Sequence, residues 1–597
     1  MKVEKTLDNR LGDFTTDARV FLLTGMAIVI GAASAFVAYI LVWLIRGITD
    51  LAYYAKLTLT LDVPKVTSPV ISRLGYWSIL VPVAGGLIVG LMARYGSDKI
   101  RGHGIPEALE SILIGGSTID AKVAVLKPLS SAVAIGTGGP FGAEGPIIMT
   151  GAAIGSLLAQ FFHLTAAERK TLLCAGAAGG MAAIFSAPFA AVLIAVELML
   201  FEWKPRSFIP VAFASAVAGA LRIPLLGAGP IFGIPAHPSM GAEGLVICVG
   251  VGLIAGIGSI IVTNMVYGFE DLFRRQPVHW MWWPLIGGVF VGIGGIVNPS
   301  VLGVGYDTIH AMLLGKIVGS IVIGLLVGKA LVWSIALSSG TSGGVLAPLL
   351  IIGAAMGVLE SHFIPIGNSG GWALISMAAV MGGTMGAPFT AIVFTIELTH
   401  DINMLPPLVV ACITAQLIAV LMMKRSILTE KVARRGHHIM REYSVDPLEV
   451  LRVGEVMDSN APTVQASTKV LDLSNRIASG DPILARRQAT AIVDENGQLS
   501  GIITRGDVLR AIGQDDHEGM TVLEAGSSNL VVTYADELLG EAVDKMVRNG
   551  IGRLPVVTRE DPRHLLGYLG RSSVMSARLR LHEEEHVRER VRGRHLN

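Results

Sequence analysis

The chain has 597 residues, which exceeds the usual size of one globular core and therefore predicts at least two domains. Hydrophobic residues make up 52% of it and charged residues only 16%, whereas soluble domains carry about 25% charged residues. This composition indicates a membrane protein. The net charge of +1 also argues against the basic surface of a nucleic-acid-binding protein.

The first apolar segment follows a short polar N-terminus. Residues 1–18 are charged and polar, and we interpret them as a cytoplasmic segment that precedes the membrane domain. The apolar stretch from Val20 to Ile45 is too long for the hydrophobic region of a signal peptide, so it predicts the first membrane helix. The three cysteines lie inside apolar runs, which is typical of small core residues rather than of disulfides or metal ligands.

Apolar segments recur up to about residue 423, but many are shorter than the roughly 20 residues that span a bilayer. Glycine or proline interrupts them, as in residues 123–135, 146–162, 345–357 and 391–398. Broken helices at membrane depth are tolerated where their ends line a polar cavity or are buried in protein. Residues 19–436 therefore predict an α-helical, multi-pass membrane domain that contains a transport pathway.

An internal repeat divides this domain into two halves. GAEGP at 142–146 and GAAIG at 151–155 align with GVLAP at 344–348 and GAAMG at 353–357, at an offset of 202 residues. APF at 187–189 and EL at 197–198 recur at 387–389 and 397–398, at an offset of 200. Two homologous halves, about residues 19–225 and 243–436, are typical of transporters whose substrate binds where the halves meet. Spacing alone leaves open whether the halves are inverted or parallel.

Three glycine-rich stretches stand at the starts of short apolar helices: GHGIP at 102–106, GAEGP at 142–146 and GGVLAP at 343–348. The N–H groups at a helix start are unpaired and carry partial positive charge, so several starts aimed at one point bind an anion. Glycine permits close backbone approach, and proline suits the first helical turn. The pattern predicts an anion site that is built from helix ends.

The composition changes after Lys424, where charged residues become frequent. Short strand-like runs alternate there with amphipathic helical stretches; the runs are TAIV at 490–493, GIIT at 501–504 and LPVV at 554–557. The pattern predicts a soluble α/β module of two similar βαββα units, residues 445–513 and 521–577. Residues 578–597 form a charged tail.

The three glycine-rich stretches resemble, in order and spacing, the GSGIP, GxEGP and GxFxP signatures of the CLC chloride channels and chloride/proton antiporters. The resemblance covers about residues 20–436. It implies transport of chloride or a similar small anion across a lipid bilayer, a homodimer with one pathway per subunit, and a location in the plasma (inner) membrane. It also implies that Glu144 is the gating glutamate, whose carboxylate competes with the anion until it is protonated. The implied anion-binding positions are His103, Gly104, Ile105, Ala143, Gly145, Val345 and Leu346.

The sequence departs from the family pattern at three positions. The serine of GSGIP is His103, the phenylalanine of GxFxP is Leu346, and the pore tyrosine of a Ser-Ile-Tyr segment is Leu428. Two hydroxyl donors to the anion are therefore missing. Two alternatives remain for His103: its N–H group replaces one donor, or its imidazole bonds to a backbone carbonyl away from the pore.

The proton route of the family's antiporters is altered as well. Those antiporters carry an inner glutamate directly after the position of Glu197, and this chain has Leu198 there. Glu144, Glu197 and Leu198 are the candidate proton pathway, but leucine cannot relay a proton. We therefore expect channel-like or loosely coupled anion flow, with chloride/proton antiport as the alternative. Glu197 and Glu397 at helix ends also suit structural roles.

The α/β module resembles a tandem CBS pair, which is cytoplasmic in this family. GIITRGD at 501–507 implies that Thr504 and Asp507 contact an adenine nucleotide such as ATP, ADP or AMP. The matching GYLGRSS at 567–573 lacks both side chains. No cofactor is required for transport, and a purely structural CBS pair is the alternative.

Two further strings in the sequence match known motifs, and we weigh the other functions that they would indicate. HEEEH at 582–586 matches the HExxH pattern of zinc proteases, so a membrane metalloprotease regulated by CBS domains is a remote alternative. It lies in a charged tail without an apolar shell or a third ligand, and we expect neither a metal site nor enzyme activity. A CBS-bearing metal-ion transporter is disfavoured because cations need carboxylates and carbonyls. We interpret GAEG at 241–244 as a chance match at the start of a membrane helix.

Overall fold

A computed structural model describes residues 18–56, 74–317, 319–436, 448, 451–482, 484, 488–514 and 519–577. These residues fall into two compact units, a helical unit up to residue 436 and a smaller α/β unit from residue 448, each with its own hydrophobic core. The architecture confirms the predicted fold class. The predicted N-terminal segment, apart from Ala18, and the predicted charged tail lie outside the described residues.

The described part of the helical unit consists of α-helices joined by short turns. In chain order they are α1 (Arg19–Tyr54), α2 (Leu80–Tyr95), α3 (Ile105–Leu113), α4 (Ala121–Gly136), α5 (Glu144–Gln160), α6 (Ala166–Phe185), α7 (Pro188–Ala195), α8 (Pro205–Leu226), α9 (Ala242–Arg275), α10 (Trp283–Val297), α11 (Tyr306–Leu313), α12 (Ser320–Ser338), α13 (Leu346–Glu360), α14 (Ser369–Met385), α15 (Pro388–Thr399), α16 (Leu405–Met422) and α17 (Ile427–Ala433). Within the described residues, seven spans are long and apolar enough to cross a bilayer; they contain α1, α2, α8, α9, α10, α12 and α16. The chain is therefore a multi-pass membrane protein.

The helices that begin at the glycine-rich stretches are short. Helix α3 has 9 residues, α5 has 17 and α13 has 15, fewer than the roughly 20 that a span requires. Their first residues, Ile105, Glu144 and Leu346, are all buried. These helices therefore begin inside the unit, as the broken apolar pattern predicts.

Glycines let the repeat-related helices approach their neighbours closely. A Cβ placed on Gly155 of α5 would lie 2.1 Å from the Leu172 carbonyl oxygen in α6. A Cβ on its repeat partner, Gly357 of α13, would lie 2.2 Å from the Trp372 carbonyl oxygen in α14. Because no side chain fits at either position, the two halves share one packing scheme of small residues.

The two halves contact each other reciprocally. The Glu197 carboxylate, in a π turn after α7, accepts hydrogen bonds from the start of α15, at 2.8 Å from the Thr390 N–H. The Glu397 carboxylate, near the end of α15, accepts hydrogen bonds from the start of α7, at 2.7 Å from the Ala190 N–H. Each helix end faces the start of its repeat partner, so the two helices are antiparallel. The repeats are therefore inverted, which spacing alone left open.

The direction of α9 and α16 defines two faces of the helical unit. A Cβ on Gly252, early in α9, would lie 2.6 Å from the Ala411 carbonyl oxygen, early in α16. Further along, the Tyr267 hydroxyl donates to the Ile427 carbonyl, just after α16. The two helices thus run parallel, and residues 227–241, which join α8 to α9, lie where α16 begins. We call the face that carries α17 the C-terminal face and the other the opposite face.

The described residues of the α/β unit form two three-stranded sheets with the same topology. Its elements are α18 (Val453–Val456), β1 (Thr463–Gln465), α19 (Val470–Ala478), β2 (Ala489–Val493), β3 (Leu499–Thr504), α20 (Arg505–Ile512), α21 (Val522–Ala525), β4 (Thr533–Tyr534), α22 (Leu539–Arg548), β5 (Arg553–Val557) and β6 (Leu565–Gly570). In each sheet the first strand is parallel to the second and the second is antiparallel to the third. The central strand β2 is buried along its whole length, which explains why all of its residues except Thr490 are apolar.

Candidate anion pathway

The starts of α3, α5 and α13 converge on one point. A Cβ on Gly145 would lie 2.0 Å from the His103 carbonyl oxygen and 3.1 Å from the Gly344 Cα. A Cβ on Gly104 would lie 2.2 Å from the Gly145 carbonyl oxygen. Because only glycine permits these approaches, the three stretches place their unpaired N–H groups around a shared volume.

Glu144 occupies the middle of this convergence. Its side chain is fully buried, and its Oε1 accepts a hydrogen bond of 2.6 Å from the Ala347 N–H at the start of α13. Glu144 is itself the first residue of α5. The carboxylate therefore lies where two helix starts offer their donors, which is the position that a bound anion would take.

The carboxylate is held on one side only. A Cβ on Gly142 would lie 1.8 Å from the Glu144 Oε2, so the side chain folds back over that glycine. Within the part of the chain that the structure describes, Oε2 is buried without a hydrogen-bond partner. An oxygen with no partner contributes little to holding the side chain in place, and this suits a group that leaves when another anion enters.

The other predicted anion-binding residues flank the same point. Ala143 and Val345 are the N-cap residues of α5 and α13, and Ile105 and Leu346 are the first residues of α3 and α13. All four are buried. The structure thus brings the predicted set together, and their contact with an anion stays a prediction.

His103 is buried beside the convergence, at 3% exposure. Its carbonyl oxygen contacts Gly145, and its imidazole Nδ1 has no hydrogen-bond partner among the described residues. Bonding of Nδ1 to a backbone carbonyl, one form of the second alternative for this residue, is therefore not present. A buried polar nitrogen without a partner is costly, and an anion in the pathway would supply a partner to the tautomer that carries its proton on Nδ1.

Leu428 contributes no polar group, as the sequence predicts. It is fully buried as the second residue of α17. The neighbouring phenol, Tyr267 of α9, already donates its hydroxyl to the Ile427 carbonyl. The donor that the family places in this segment is therefore replaced by an apolar side chain.

Two fully buried lysines hold the loops that lead into α3 and α11. Lys127 and Lys329 are repeat partners, and each ammonium group donates to two backbone carbonyls. The bonds are Lys127 to Ile100 (2.8 Å) and Gly102 (2.8 Å), and Lys329 to Val301 (3.0 Å) and Gly303 (2.8 Å). The sequence signal for this pair was available in the repeat alignment, because both lysines align at the offset of 202 residues.

The two loops are themselves repeat partners, which the sequence reading missed. GHGI at 102–105 aligns with GVGY at 303–306 at an offset of 201. Gly102 and Gly104 have φ values of +95° and +93°, and Gly303 and Gly305 have values of +63° and +79°. A left-handed backbone at the same two positions explains the conserved spacing of glycine within the repeat.

A buried ion pair connects α17 to residues 102–105, which we call the His103 loop. The Glu107 Oε2 accepts a bond of 2.7 Å from the Gly104 N–H, and its Oε1 lies 2.7 Å from the Lys431 ammonium. The side chain of Glu107 is 4% exposed and that of Lys431 is 16% exposed. Lys431 belongs to α17, so the last helix before the α/β unit is tied to the start of α3 on the C-terminal face.

Glu197 of the candidate proton pathway already has several hydrogen-bond donors. Glu197 accepts hydrogen bonds from the Phe389 N–H and from both the N–H and the hydroxyl of Thr390. Leu198 beside it is buried and carries no ionisable group. This geometry matches the structural role that the sequence offered for Glu197 as an alternative.

The predicted nucleotide-contacting residues bond to each other. Thr504 caps α20, and its hydroxyl donates to the Asp507 Oδ2 at 2.7 Å while accepting from the Asp507 N–H at 3.2 Å. This capping box satisfies both side chains without a ligand. Nucleotide contact by Thr504 and Asp507 stays a prediction. HEEEH at 582–586 lies outside the described residues, and the described residues hold no cluster of three or more metal ligands.

Residues 85–420 match the family model for the voltage gated chloride channel, and residues 453–514 and 523–580 match the CBS domain model. Fold and site therefore define a membrane anion-transport protein that carries two CBS domains. The first match covers more than half of the 597 residues, so the chain belongs to the voltage gated chloride channel family, as the resemblance predicts. Its general function is CLC-type chloride transport.

Relatives and solved structures agree with this assignment. Chloride channel protein CLC-f of Arabidopsis thaliana is 25% identical over 591 residues, covering 83% of this chain and 73% of the relative. The voltage-gated ClC-type chloride channel ClcB of Escherichia coli is 29% identical over 373 residues, covering 60% and 87%. The crystal structure of a slow cyanobacterial Cl−/H+ antiporter matches with a TM-score of 0.61 at 22% identity, covering 70% of this chain and 99% of that one. This last likeness concerns the fold alone.

Proposed function

We infer that the chain conducts chloride with Glu144 as its gate, and that the flow is channel-like or only loosely coupled to protons. The observation that carries the gate is the buried Glu144 carboxylate, bonded to the Ala347 N–H at the meeting point of two helix starts. A charged carboxylate there excludes a second anion by repulsion. Protonation removes that charge, and the side chain then yields its position to chloride.

Weak coupling is supported on the C-terminal face. A strict exchanger needs a proton acceptor that passes protons to Glu144 from that face. The family's antiporters carry this acceptor, a glutamate, at the position of Leu198, which is a buried apolar residue in this chain. Glu197 beside it already accepts three hydrogen bonds from Phe389 and Thr390, which stabilise its charged form. Chloride/proton antiport is the second candidate, since the solved relative of similar fold is a Cl−/H+ antiporter.

The test is chloride efflux from proteoliposomes that contain the full chain and a pH indicator. With a chloride gradient and no ionophore, a channel builds a membrane potential that halts net efflux, and valinomycin with potassium releases it. An exchanger instead drives protons uphill at a fixed ratio to chloride. We expect efflux that depends on valinomycin with little proton movement, and a fixed proton-to-chloride ratio would contradict the proposal.

We also propose an oligomeric state and a membrane placement for the chain. It forms a homodimer with one pathway per subunit, lies in the plasma (inner) membrane and carries its CBS domains on the cytoplasmic side. Similarity to the family supports all three statements. Protease treatment of sealed inverted vesicles tests the placement, because only an exposed CBS pair is cleaved. Chemical crosslinking in membranes tests the dimer, which predicts one product at twice the monomer mass of 62.9 kDa.

A nucleotide role for the CBS pair is the most open part of the proposal. Adenine nucleotide at Thr504 and Asp507 would have to replace the bonds that these residues make with each other. The alternative is a structural pair. Calorimetric titration of the full chain with ATP, ADP and AMP decides between them, and a Thr504→Val variant that loses any observed binding would assign it to this site.

A further inference from the structure

Three buried polar atoms without partners belong to side chains that interact electrostatically, Tyr306 with both of the others. They are the Glu144 Oε2, the Tyr306 hydroxyl and the Arg222 Nε, and none has a hydrogen-bond partner among the described residues. We propose that Tyr306 and Arg222 form a second anion-binding site, which receives chloride between the opposite face and Glu144. This inference rests on the proposed function, since it adds a step to the same pathway.

Tyr306 is fixed by aromatic contacts. It is the first residue of α11, and its ring meets Phe185 and Phe232 edge to face, with centroids 6.3 Å and 5.8 Å apart. The hydroxyl oxygen is enclosed and makes no hydrogen bond within the described residues. The charges of Glu144 and Arg222 both act on this hydroxyl. Buried tyrosine hydroxyls usually find a partner, so this one points to a missing ligand.

Arg222 supplies the charge. It lies near the end of α8 at 7% exposure, and one of its terminal nitrogens, Nη1, donates to the Gly227 carbonyl just beyond the helix. That bond anchors the guanidinium group, while the buried Nε–H remains without an acceptor in the described part of the chain. A guanidinium N–H that is buried and unpaired costs free energy, and a small anion would satisfy it.

The place of this pair in the pathway follows from the loop that joins α8 to α9. Phe232 of that loop donates its N–H to the Leu398 carbonyl at 2.9 Å, and the Gly233 carbonyl lies 3.1 Å from the His310 Nε2. The loop is therefore bonded to α11 and to the end of α15 on the opposite face. The Phe232 ring of this loop contacts the Tyr306 ring, which ties Tyr306 to the opposite face, whereas Glu144 is buried at the helix starts.

The chemistry of the groups selects the ligand. Tyr306 and Arg222 offer N–H and O–H donors, and Arg222 adds a full positive charge. The buried ammonium of Lys329, which acts electrostatically on Glu144, adds a second positive charge nearby. Aromatic walls favour an anion that sheds water easily, so we expect chloride, bromide and nitrate to bind better than fluoride. The Glu144 carboxylate itself competes for these donors when it swings toward the opposite face.

The test measures chloride dependence separately from each face, by recording from planar bilayers that hold the full protein in one orientation. We expect Tyr306→Phe and Arg222→Gln each to raise the half-saturating chloride concentration at the opposite face about tenfold, the effect of losing about 1.4 kcal/mol. The value for the C-terminal face stays unchanged. Tyr53→Phe is the matched control, because its buried hydroxyl already has a partner, the Thr137 carbonyl, and it leaves both values unchanged.

Bromide diffraction gives a readout that does not depend on the variants folding. Crystals of the wild-type protein grown in bromide are expected to show an anomalous peak within hydrogen-bond distance of the Tyr306 hydroxyl and the Arg222 Nε. If bromide occupies the site at the starts of α3, α5 and α13 but gives no peak at Tyr306 and Arg222, the inference is overturned. An equal loss of chloride affinity from both faces in the variants overturns it as well. Density for the Glu144 carboxylate at that position also overturns it in favour of a resting place for the gate. A wild-type protein that carries no chloride at all refutes the proposed function instead.

Discussion

The two repeat-related loops, 102–105 and 303–306, show how one scaffold has come to carry two different chemistries. In both, glycines with positive φ shape the turn, a buried lysine holds two carbonyls, and a short helix begins at the fourth residue. The first loop presents His103 and is tied to α17 through Glu107. The second presents Tyr306, whose hydroxyl has no partner among the described residues.

The comparison separates the features that support the pathway from the side chains that select the transported anion. Backbone geometry and lysine anchors are repeated because both halves must deliver a helix start to the interior. The side chains at the second and fourth loop positions are free to differ. We infer that the C-terminal face is governed by the ion pair of Glu107 and Lys431, and the opposite face by Tyr306 and Arg222.

The largest expected effect tests the shared scaffold. Lys127→Met and Lys329→Met each remove two charge-assisted hydrogen bonds to backbone carbonyls, so we expect a loss of about 3–6 kcal/mol of stability in either case. Unfolding in detergent, followed by fluorescence, measures it. Lys99→Met is the control, because that side chain is 56% exposed and its ion pair contributes little. If one lysine is dispensable and the other essential, the scaffold is not shared.

The next effect tests the asymmetry on the C-terminal face. Lys431→Met leaves the buried Glu107 carboxylate without its closest cation, and we expect about 3–5 kcal/mol of destabilisation together with altered chloride affinity from that face. The double variant with Glu107→Gln should recover part of the loss, since no unpaired charge remains.

Helix α17 offers a matched control for this prediction. Arg434→Met breaks the ion pairs with Asp271 and Glu430 and the contact with the Tyr267 ring, without touching the His103 loop. We expect a loss of about 1–2 kcal/mol, smaller than that of Lys431→Met, and an unchanged chloride affinity. Equal effects of Lys431→Met and Arg434→Met on transport would remove the special role of Glu107.

The smallest effect tests the reciprocal contact between the halves. Glu197→Gln and Glu397→Gln each remove a negative charge from a helix start, and we expect each to cost about 0.3–1 kcal/mol. Proton movement during chloride efflux should be the same in both variants and in the wild type. A selective loss of proton movement in Glu197→Gln would revive antiport through this residue.

The sequence predicts the elements of this account unevenly. The helix starts, Glu144 and the two halves follow from glycine-rich strings and a fixed offset, because these are local patterns. The role of Tyr306 has a weak signal in the offset of 201 that aligns it with Ile105. Arg222 and Lys431 have none, since each approaches its partner only through the packing of helices that are far apart in the chain.

The two leucines that stand where the family has polar residues show the same limit of prediction from sequence. Leu198 and Leu428 are visible in the sequence as missing polar groups, and both are buried in the structure. What replaces a missing donor is not local. The sequence offers His103 as one replacement, but the unpartnered hydroxyl of Tyr306 lies on another element, and only the folded arrangement reveals it.

One measurement tests the central claim most directly: the rate of chloride efflux against pH for the wild type, Glu144→Gln and Glu397→Gln. If Glu144 gates the pathway, the wild-type rate rises as pH falls, by up to about tenfold per pH unit, the limit for one proton. Glu144→Gln should conduct at a high rate that no longer depends on pH, and Glu397→Gln should behave as the wild type. An unchanged pH dependence in Glu144→Gln would contradict the account.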